Sequence, residues 1–229
     1  SGHRRYSPDV GLWEEMAPMP TARSSLAAAV LNEQLYVVGG AVEREAVIAV
    51  ERYDAASGSW ATLANTLTAR LLHAVVALDD HIYAIGGTGS AMDGVPVFNT
   101  VERYDPSAAV WHQVADMPTA RYGPAAVAFG GHIYAFGGGD FDDNALAVAE
   151  RYSPATNAWE VLAAMPAPRK EGAAVVRGDF IYVLGGKVSD IGGTTTVIAT
   201  VARYSPAENV WDEIPSMPTA RYCLAATVL

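Results

Sequence analysis

The stretch RYGPAAVAFGGHIYAFGGGDFDDNALAVAERYSPATNAW, Arg121 to Trp159, carries the signals that decide the fold of this 229-residue chain. Tyr122 to Phe129 is short, small and apolar, and Gly130-Gly131 supplies the positive φ that a two-residue hairpin turn requires. His132 to Gly138 is the return strand and ends in a double glycine. A loop follows, then a third strand through Val148 to Tyr152, a Ser153-Pro154 turn and a fourth strand around Trp159. The unit reads as a four-stranded antiparallel meander, with strands a, b, c and d in chain order.

The same marks recur along the chain. Tyr6 and Trp13, Tyr53 and Trp60, Tyr104 and Trp111, Tyr152 and Trp159, and Tyr204 and Trp211 are each seven residues apart, and each pair precedes an arginine: Arg23, Arg70, Arg121, Arg169 and Arg221. Gly39-Gly40, Gly86-Gly87, Gly137-Gly138 and Gly185-Gly186 fall between them, and the tyrosines repeat at intervals of 47, 51, 48 and 52 residues. Hairpin turns are expected at Asn32-Glu33, Asp79-Asp80 and Gly178-Asp179 as well. No segment holds an apolar 3.6-residue period, and Gly, Pro, Asn and Asp punctuate short strands throughout. Self-similarity at this period means repeats that bury their faces only against neighbours, so one domain is expected. The class is all-β, a propeller of four-stranded antiparallel blades.

The double glycine, the Tyr and Trp seven apart and the Met-Pro-x-x-Arg lead into the next unit resemble the kelch repeat. The wording Val101-Glu-Arg-Tyr-Asp-Pro106 and Met117-Pro-Thr-Ala-Arg121 is most similar to the kelch-like substrate adaptors, in which a kelch propeller follows BTB and BACK domains. The resemblance covers nearly the whole chain. It implies repeats at about residues 1–16 (partial), 17–63, 64–114, 115–162, 163–214 and 215–229 (partial). That makes four full blades plus a partial fifth built from the two termini. Strand c of this last blade is a stub at Arg4-Arg5-Tyr6, its strand a runs from Ala220 to Leu229, and its strand b is missing. Unpaired strands at both ends predict self-association or imperfect closure of the ring.

Length variation is confined to one place. From each Trp to the next double glycine the count is 26, whereas from the second glycine to the tyrosine it is 13, 17, 14 and 18. The insertions therefore lie in the loop between strands b and c. In an antiparallel meander this loop emerges on the same face as the turn from d into the next a, and variable loops on a rigid body are where recognition is built. The expected ligand-binding residues on this face are Arg23, Arg70, Arg121, Tyr122, Arg169, Lys170, Arg221 and Tyr222. Glu43, Arg44 and Glu45, then Asp140, Asp142 and Asp143, then Lys187 with Asp190 line the b–c loops. Arginine suits paired hydrogen bonds to carboxylates. In the resembling adaptors, arginines on this face grip acidic peptide motifs. Five copies in five units equally suit a scaffold residue, and Arg121→Ala discriminates, since loss of the fold marks the ring as structural.

A net charge of −10 and a pI near 4.8 argue against nucleic acid or an acidic membrane surface as the general partner. No apolar run reaches membrane-spanning length, and the first residues lack a signal-peptide core. The single cysteine, Cys223, forbids an intramolecular disulfide and fits a reducing, cytoplasmic compartment; it is expected to be a small buried residue beside the axis. The histidines at 73, 81, 112 and 132 form no metal pattern, the acidic loop matches no calcium loop, and no cofactor is expected. A non-catalytic protein- or peptide-binding module with a preference for anionic ligands is the leading expectation. The alternatives are an enzyme like the kelch-fold sugar-acid mutarotases and an engineered or truncated propeller without a retained function.

Overall fold

Two-residue turns close all four a–b hairpins, with Leu31 opposite Gln34, Leu78 opposite His81, Phe129 opposite His132 and Arg177 opposite Phe180. Asn32 and Glu33 have φ of 50° and 62°, and Gly130 and Gly131 have 58° and 75°, the left-handed pair whose twist matches the flanking strands. The computed structural model describes residues 3–90, 96–189 and 194–228; Asp190 of the expected loop set lies outside them.

A ribbon of β1 (His3–Ser7) and β2 (Leu12–Met16) comes first. The first blade contains β3 (Ala27–Leu31) and β4 (Gln34–Val38), a small loop ribbon of β5 (Ala41–Val42) and β6 (Glu45–Ala46), then β7 (Val50–Asp54) and β8 (Ser59–Thr62). The second is β9 (Ala74–Leu78), β10 (His81–Ile85), β11 (Val101–Asp105) and β12 (Val110–Val114). The third is β13 (Ala125–Phe129), β14 (His132–Phe136), β15 (Ala149–Ser153) and β16 (Ala158–Val161). The fourth holds β17 (Ala173–Arg177) and β18 (Phe180–Leu184), a loop ribbon of β19 (Lys187–Ser189) and β20 (Thr195–Val197), then β21 (Val201–Ser205) and β22 (Val210–Ile214). Every blade has the order a-b-c-d with antiparallel neighbours, and no helix occurs among the described residues.

The innermost strands β3, β9, β13 and β17 contact one another in turn. The core lies between blades rather than within them: Tyr36 and Val38 of the first pack with Ile82, Tyr104 and Trp111 of the second. Tyr83 and Ile85 meet Ile133 and Tyr152, and Tyr134 and Phe136 meet Ile181 and Tyr204. Each fully buried Ile contributes about 1.5–3 kcal/mol from removal of its side chain from water.

Two polar stitches fix the stacking. The tryptophan of each of the four blades donates its indole N–H to the carbonyl of the alanine that follows the preceding outer strand: Trp60 to Ala17, Trp111 to Ala64, Trp159 to Ala115 and Trp211 to Ala163, at 2.8 to 2.9 Å. The second glycine of every doublet donates to the carbonyl of the next unit's arginine, as Gly138 N does to Arg169 O at 2.9 Å. The first glycine lies against that same carbonyl. A Cβ on Gly137 would stand 2.2 Å from Arg169 O, so no side chain fits there.

The ends depart from the expected partial blade. The ribbon β1–β2 keeps the Tyr6–Trp13 cross-strand pair and packs His3 on Tyr53 and Trp60, leaving Tyr6 and Trp13 exposed. Residues 215–228, expected to contain a final strand a, form no strand. They are held by four scattered backbone bonds, Met217 N to Ala199 O, Arg221 N to Ile198 O, Gly186 N to Arg221 O and Cys223 N to Glu171 O, and not by a ladder, which needs a partner strand that none of the described residues supplies.

Candidate binding face

The residue after each of the first four repeat arginines pairs with the residue after the double glycine of the same blade: Ser24 with Ala41, Leu71 with Thr88, Tyr122 with Gly139 and Lys170 with Lys187. These bridges tie the d–a turn leading into each of the four blades to the root of that blade's b–c loop, so the repeated turns and the variable loops share one face.

One residue further on, Ser25, Leu72, Gly123, Glu171 and Cys223 all adopt left-handed backbone, with φ between 48° and 58°. Their peptides form a hydrogen-bonded arc around the axis: Leu72 N to Ser25 O, Gly123 N to Leu72 O, Glu171 N to Gly123 O, and Cys223 N to Glu171 O, at 2.6 to 3.2 Å. The arc surrounds a cavity of about 520 Å³, also lined by Leu26, His73, Pro124 and Leu224. Four of the five arc residues carry a Cβ in a conformation that disfavours one. Such strain persists where surrounding structure imposes it, and it concentrates at binding sites.

The arginines turn away from this cavity. The Arg23, Arg70 and Arg121 side chains are fully buried. Each pairs with the glutamate of its own strand c: Arg23 with Glu51 at 2.8 Å, Arg70 with Glu102 at 2.5 Å and Arg121 with Glu150 at 2.7 Å. Arg70, Arg121 and Arg169 also donate to the carbonyl of the first doublet glycine, at Gly86, Gly137 and Gly185. The expectation that these four guanidinium groups line the channel and hold a ligand is therefore corrected: their donors face the blade interior. The signal was in the sequence, since Glu follows the first valine or alanine of strand c in three blades.

Tyr122 and Lys170 do come together, but in a polar knot. Lys170 Nζ, nearly buried, donates to Tyr122 Oη and the Asp143 carbonyl at 2.7 Å each and pairs with Asp143 Oδ1 at 2.5 Å. The Tyr122 hydroxyl donates to the same carboxylate. Burial opposes ionisation of Asp143, but the bonds from Lys170 and Tyr122 outweigh it and hold the carboxyl below its usual range. Burial, then Asp143, pushes the Tyr122 phenol well up.

Beside the knot, Lys187 pairs with Glu171 at 2.9 Å and sits 5.0 Å from the ring centre of exposed Tyr222. Burial lowers the Lys187 ammonium pKa, but Glu171 more than offsets this and raises it. Cys223, expected to be buried, is exposed; its thiol donates to Glu171 Oε2 at 3.0 Å. Partial desolvation of the sulfur against the cavity wall and this bond push the thiol up to about 11. Arg221 is exposed on the same side.

Sequence reasoning weighed His73 only as a metal ligand and gave it no place in the frame. Its ring lies against Gly39 of the preceding blade, and burial and Arg70 push its pKa down to about 3. The available signal was a lone polar residue where the other units have Leu26, Pro124, Gly172 and Leu224.

Radially stacked four-stranded meanders around an axial cavity define a β-propeller. Residues 11–138 match the family described as the KLHDC2/KLHL20/DRC7 Kelch-repeats domain, and residues 120–166 and 168–218 each match the Kelch motif. The chain belongs to the kelch-repeat family. It is 29% identical over 141 residues to Kelch-like protein 38 of Rattus norvegicus and 28% identical over 140 residues to that of Homo sapiens, covering 61% of this chain in each case. The match spans 24% of the length of these relatives. The fold matches the solved structure titled "Structure of YjhT" with a TM-score of 0.84 at 16% identity, covering 93% of this chain and 77% of that one. No helix among the described residues is long and apolar enough to cross a membrane.

Proposed function

We propose that this propeller is a non-catalytic module that binds a protein or peptide on the face formed by the b–c loops and d–a turns. The observation that carries this reading is the arc at residues 25, 72, 123, 171 and 223. Its backbone is the same in all five units, while its side chains are Ser, Leu, Gly, Glu and Cys. A constant frame presenting different chemistry at each position is how a scaffold builds recognition.

Around that arc, the exposed rim offers Arg44, Phe141, Arg221 and Tyr222, with half-buried Lys187 between. A preference for acidic peptides rests on Lys187, Arg221 and Arg44, since the other repeat arginines face inward. The kelch-like relatives support a protein-interaction role, and a cytoplasmic setting belongs to the same reading.

Selection from a displayed random peptide library tests it. Enriched peptides are expected to lose at least about tenfold in affinity with Tyr222→Ala or Lys187→Glu, a loss of about 1.4 kcal/mol. Asp80→Lys, in an a–b turn on the opposite face, is expected to leave binding unchanged. Binding that responds to Asp80→Lys and not to the rim variants refutes the assignment.

A further inference from the structure

The fourth blade breaks the rule that its three predecessors keep. Glu51, Glu102 and Glu150 each neutralise their blade's buried arginine and also accept from the d–a turn. Thr21 N donates to Glu51, Leu67 N and Thr68 N donate to Glu102, and the Thr119 hydroxyl donates to Glu150. The fourth blade has Ala202 in this position, with Ala167 in the turn.

The arginine is nevertheless held as before. Arg70 Nη1 donates to Gly86 O and Thr100 O, and its Nη2 to Thr100 Oγ1 and Glu102. Arg169 Nη1 donates to Gly185 O at 3.2 Å and Thr200 O at 3.0 Å, and its Nη2 to Thr200 Oγ1 at 3.2 Å. The two sites superpose in role, group for group, except for the carboxylate. Arg169 is 3% exposed, and among the described residues no carboxylate is within ion-pairing distance of it. Glu213, opposite Ala202 on the neighbouring strand, acts on it electrostatically from an exposed position. A buried guanidinium without a counter-charge is costly, and an anion that pairs with it recovers that cost.

We propose that the fourth blade is a receptor for a small free carboxylate, bound between Arg169 Nη2, Thr200 Oγ1 and the backbone amide of Ala167. What Ala202 omits relative to Glu102, beyond the shared Cβ, is CH2–COO⁻, which is an acetate. The size of the ligand is thereby set at about that of acetate or formate. Its entry is at the d–a turn, where Pro166 is exposed and Ala167 half-buried. This site is separate from the peptide-binding rim and does not depend on that reading.

The test is thermal unfolding in sodium acetate, with ionic strength held constant by sodium chloride. In the native protein, acetate is expected to raise Tm saturably by about 2–4 °C, the shift that 1 kcal/mol of ligand stabilisation gives a domain of this size. The double variant Ala202→Glu, Glu213→Gln reproduces the Glu102–Gln113 pair of the second blade. It is expected to melt higher than Glu213→Gln alone and to lose the acetate response.

Should the double variant fail to fold, Glu102→Ala serves instead: acetate is expected to restore part of the stability it loses, where chloride does not. An equal acetate response in the native and double-variant proteins overturns the proposal. So does a Glu213→Gln variant as unstable as Glu102→Ala with no acetate response in the native protein, since Glu213 then supplies the charge.

Discussion

Lys170 of the fourth blade and Asp143 in the b–c loop of the third form an ion pair of unequal halves, the ammonium 1% exposed and the carboxylate 66% exposed. The pair staples a variable loop of one blade to the d–a turn of the next. Because the partners differ in burial, removing either one has a different cost. Asp143→Ala leaves a buried cation short of an acceptor and is expected to cost about 1–3 kcal/mol. Lys170→Met leaves a solvated carboxylate and is expected to cost less than about 1 kcal/mol. Urea unfolding of both variants checks the asymmetry. Asp143 has a folded pKa below its unfolded value, so its contribution is present above the ordinary carboxylate range and lost as pH falls through the folded value. Asp143→Asn is expected to flatten stability against pH in that acid window.

Arg121 and Glu150 are both fully buried, and the pair lies inside the third blade. Arg121→Ala is therefore expected to destabilise by about 3–5 kcal/mol, the usual loss when one partner of a buried pair is left alone. Guanidinium unfolding measures this. Rim-directed peptide binding by the fraction that remains folded is expected to be unchanged.

Gly130 and Gly137 have nearly the same backbone, φ 58° and 59°, but different surroundings. A Cβ on Gly130 meets nothing within 4 Å, whereas one on Gly137 stands 2.2 Å from Arg169 O. Gly130→Ala isolates the conformational penalty, about 1 kcal/mol. Gly137→Ala adds a backbone clash and is expected to cost at least about 3 kcal/mol more or to prevent folding, since it pushes apart two blades. Comparable losses for the two variants, measured by chemical unfolding, contradict this account of the doublet.

The blade body was legible because its signals are local and repeated. Gly130-Gly131 announces a turn, the Tyr152–Trp159 spacing announces a c–d hairpin, and a feature present in every unit belongs to the frame. The direction of a side chain is not local. Arg70 follows a surface turn, and only the register of β11 brings Glu102 within reach to draw it inward. Cys223 was misread for the same reason: its position suggested a strand interior, but the segment has no partner strand and the thiol turns to Glu171. Ala202 was visible as a break in the Glu-Arg-Tyr wording. Its meaning required seeing that the glutamate partners the buried arginine.

His73 makes the fold acid-sensitive in a definite window. Its folded pKa, about 3, lies below the ordinary histidine value of 6.5 expected when unfolded, so between these values the unfolded state binds more protons. Stability is therefore expected to be complete above about pH 6.5 and to fall by at most about 1.4 kcal/mol per pH unit on acidification towards 3. His73→Gln is expected to remove this dependence. Unfolding titrations at a series of pH values decide, and an unchanged slope in the variant rules out His73 as its source.

Cys223 and Glu171 give the cavity a chemical reporter. The thiol is raised to about 11 by partial desolvation and by its hydrogen bond to Glu171, so at neutral pH it is protonated and slow to alkylate. Glu171→Gln removes the negative charge and frees Lys187, whose ammonium favours the thiolate. The thiol pKa is then expected to fall, and the iodoacetamide labelling rate at neutral pH to rise about tenfold for each unit of that fall. Because the side chains of residues 171 and 223 project from adjacent positions of the arc, a peptide that fills the axial cavity is expected to protect Cys223. A peptide held at the outer rim alone leaves labelling unchanged, so the same measurement locates the ligand along the axis.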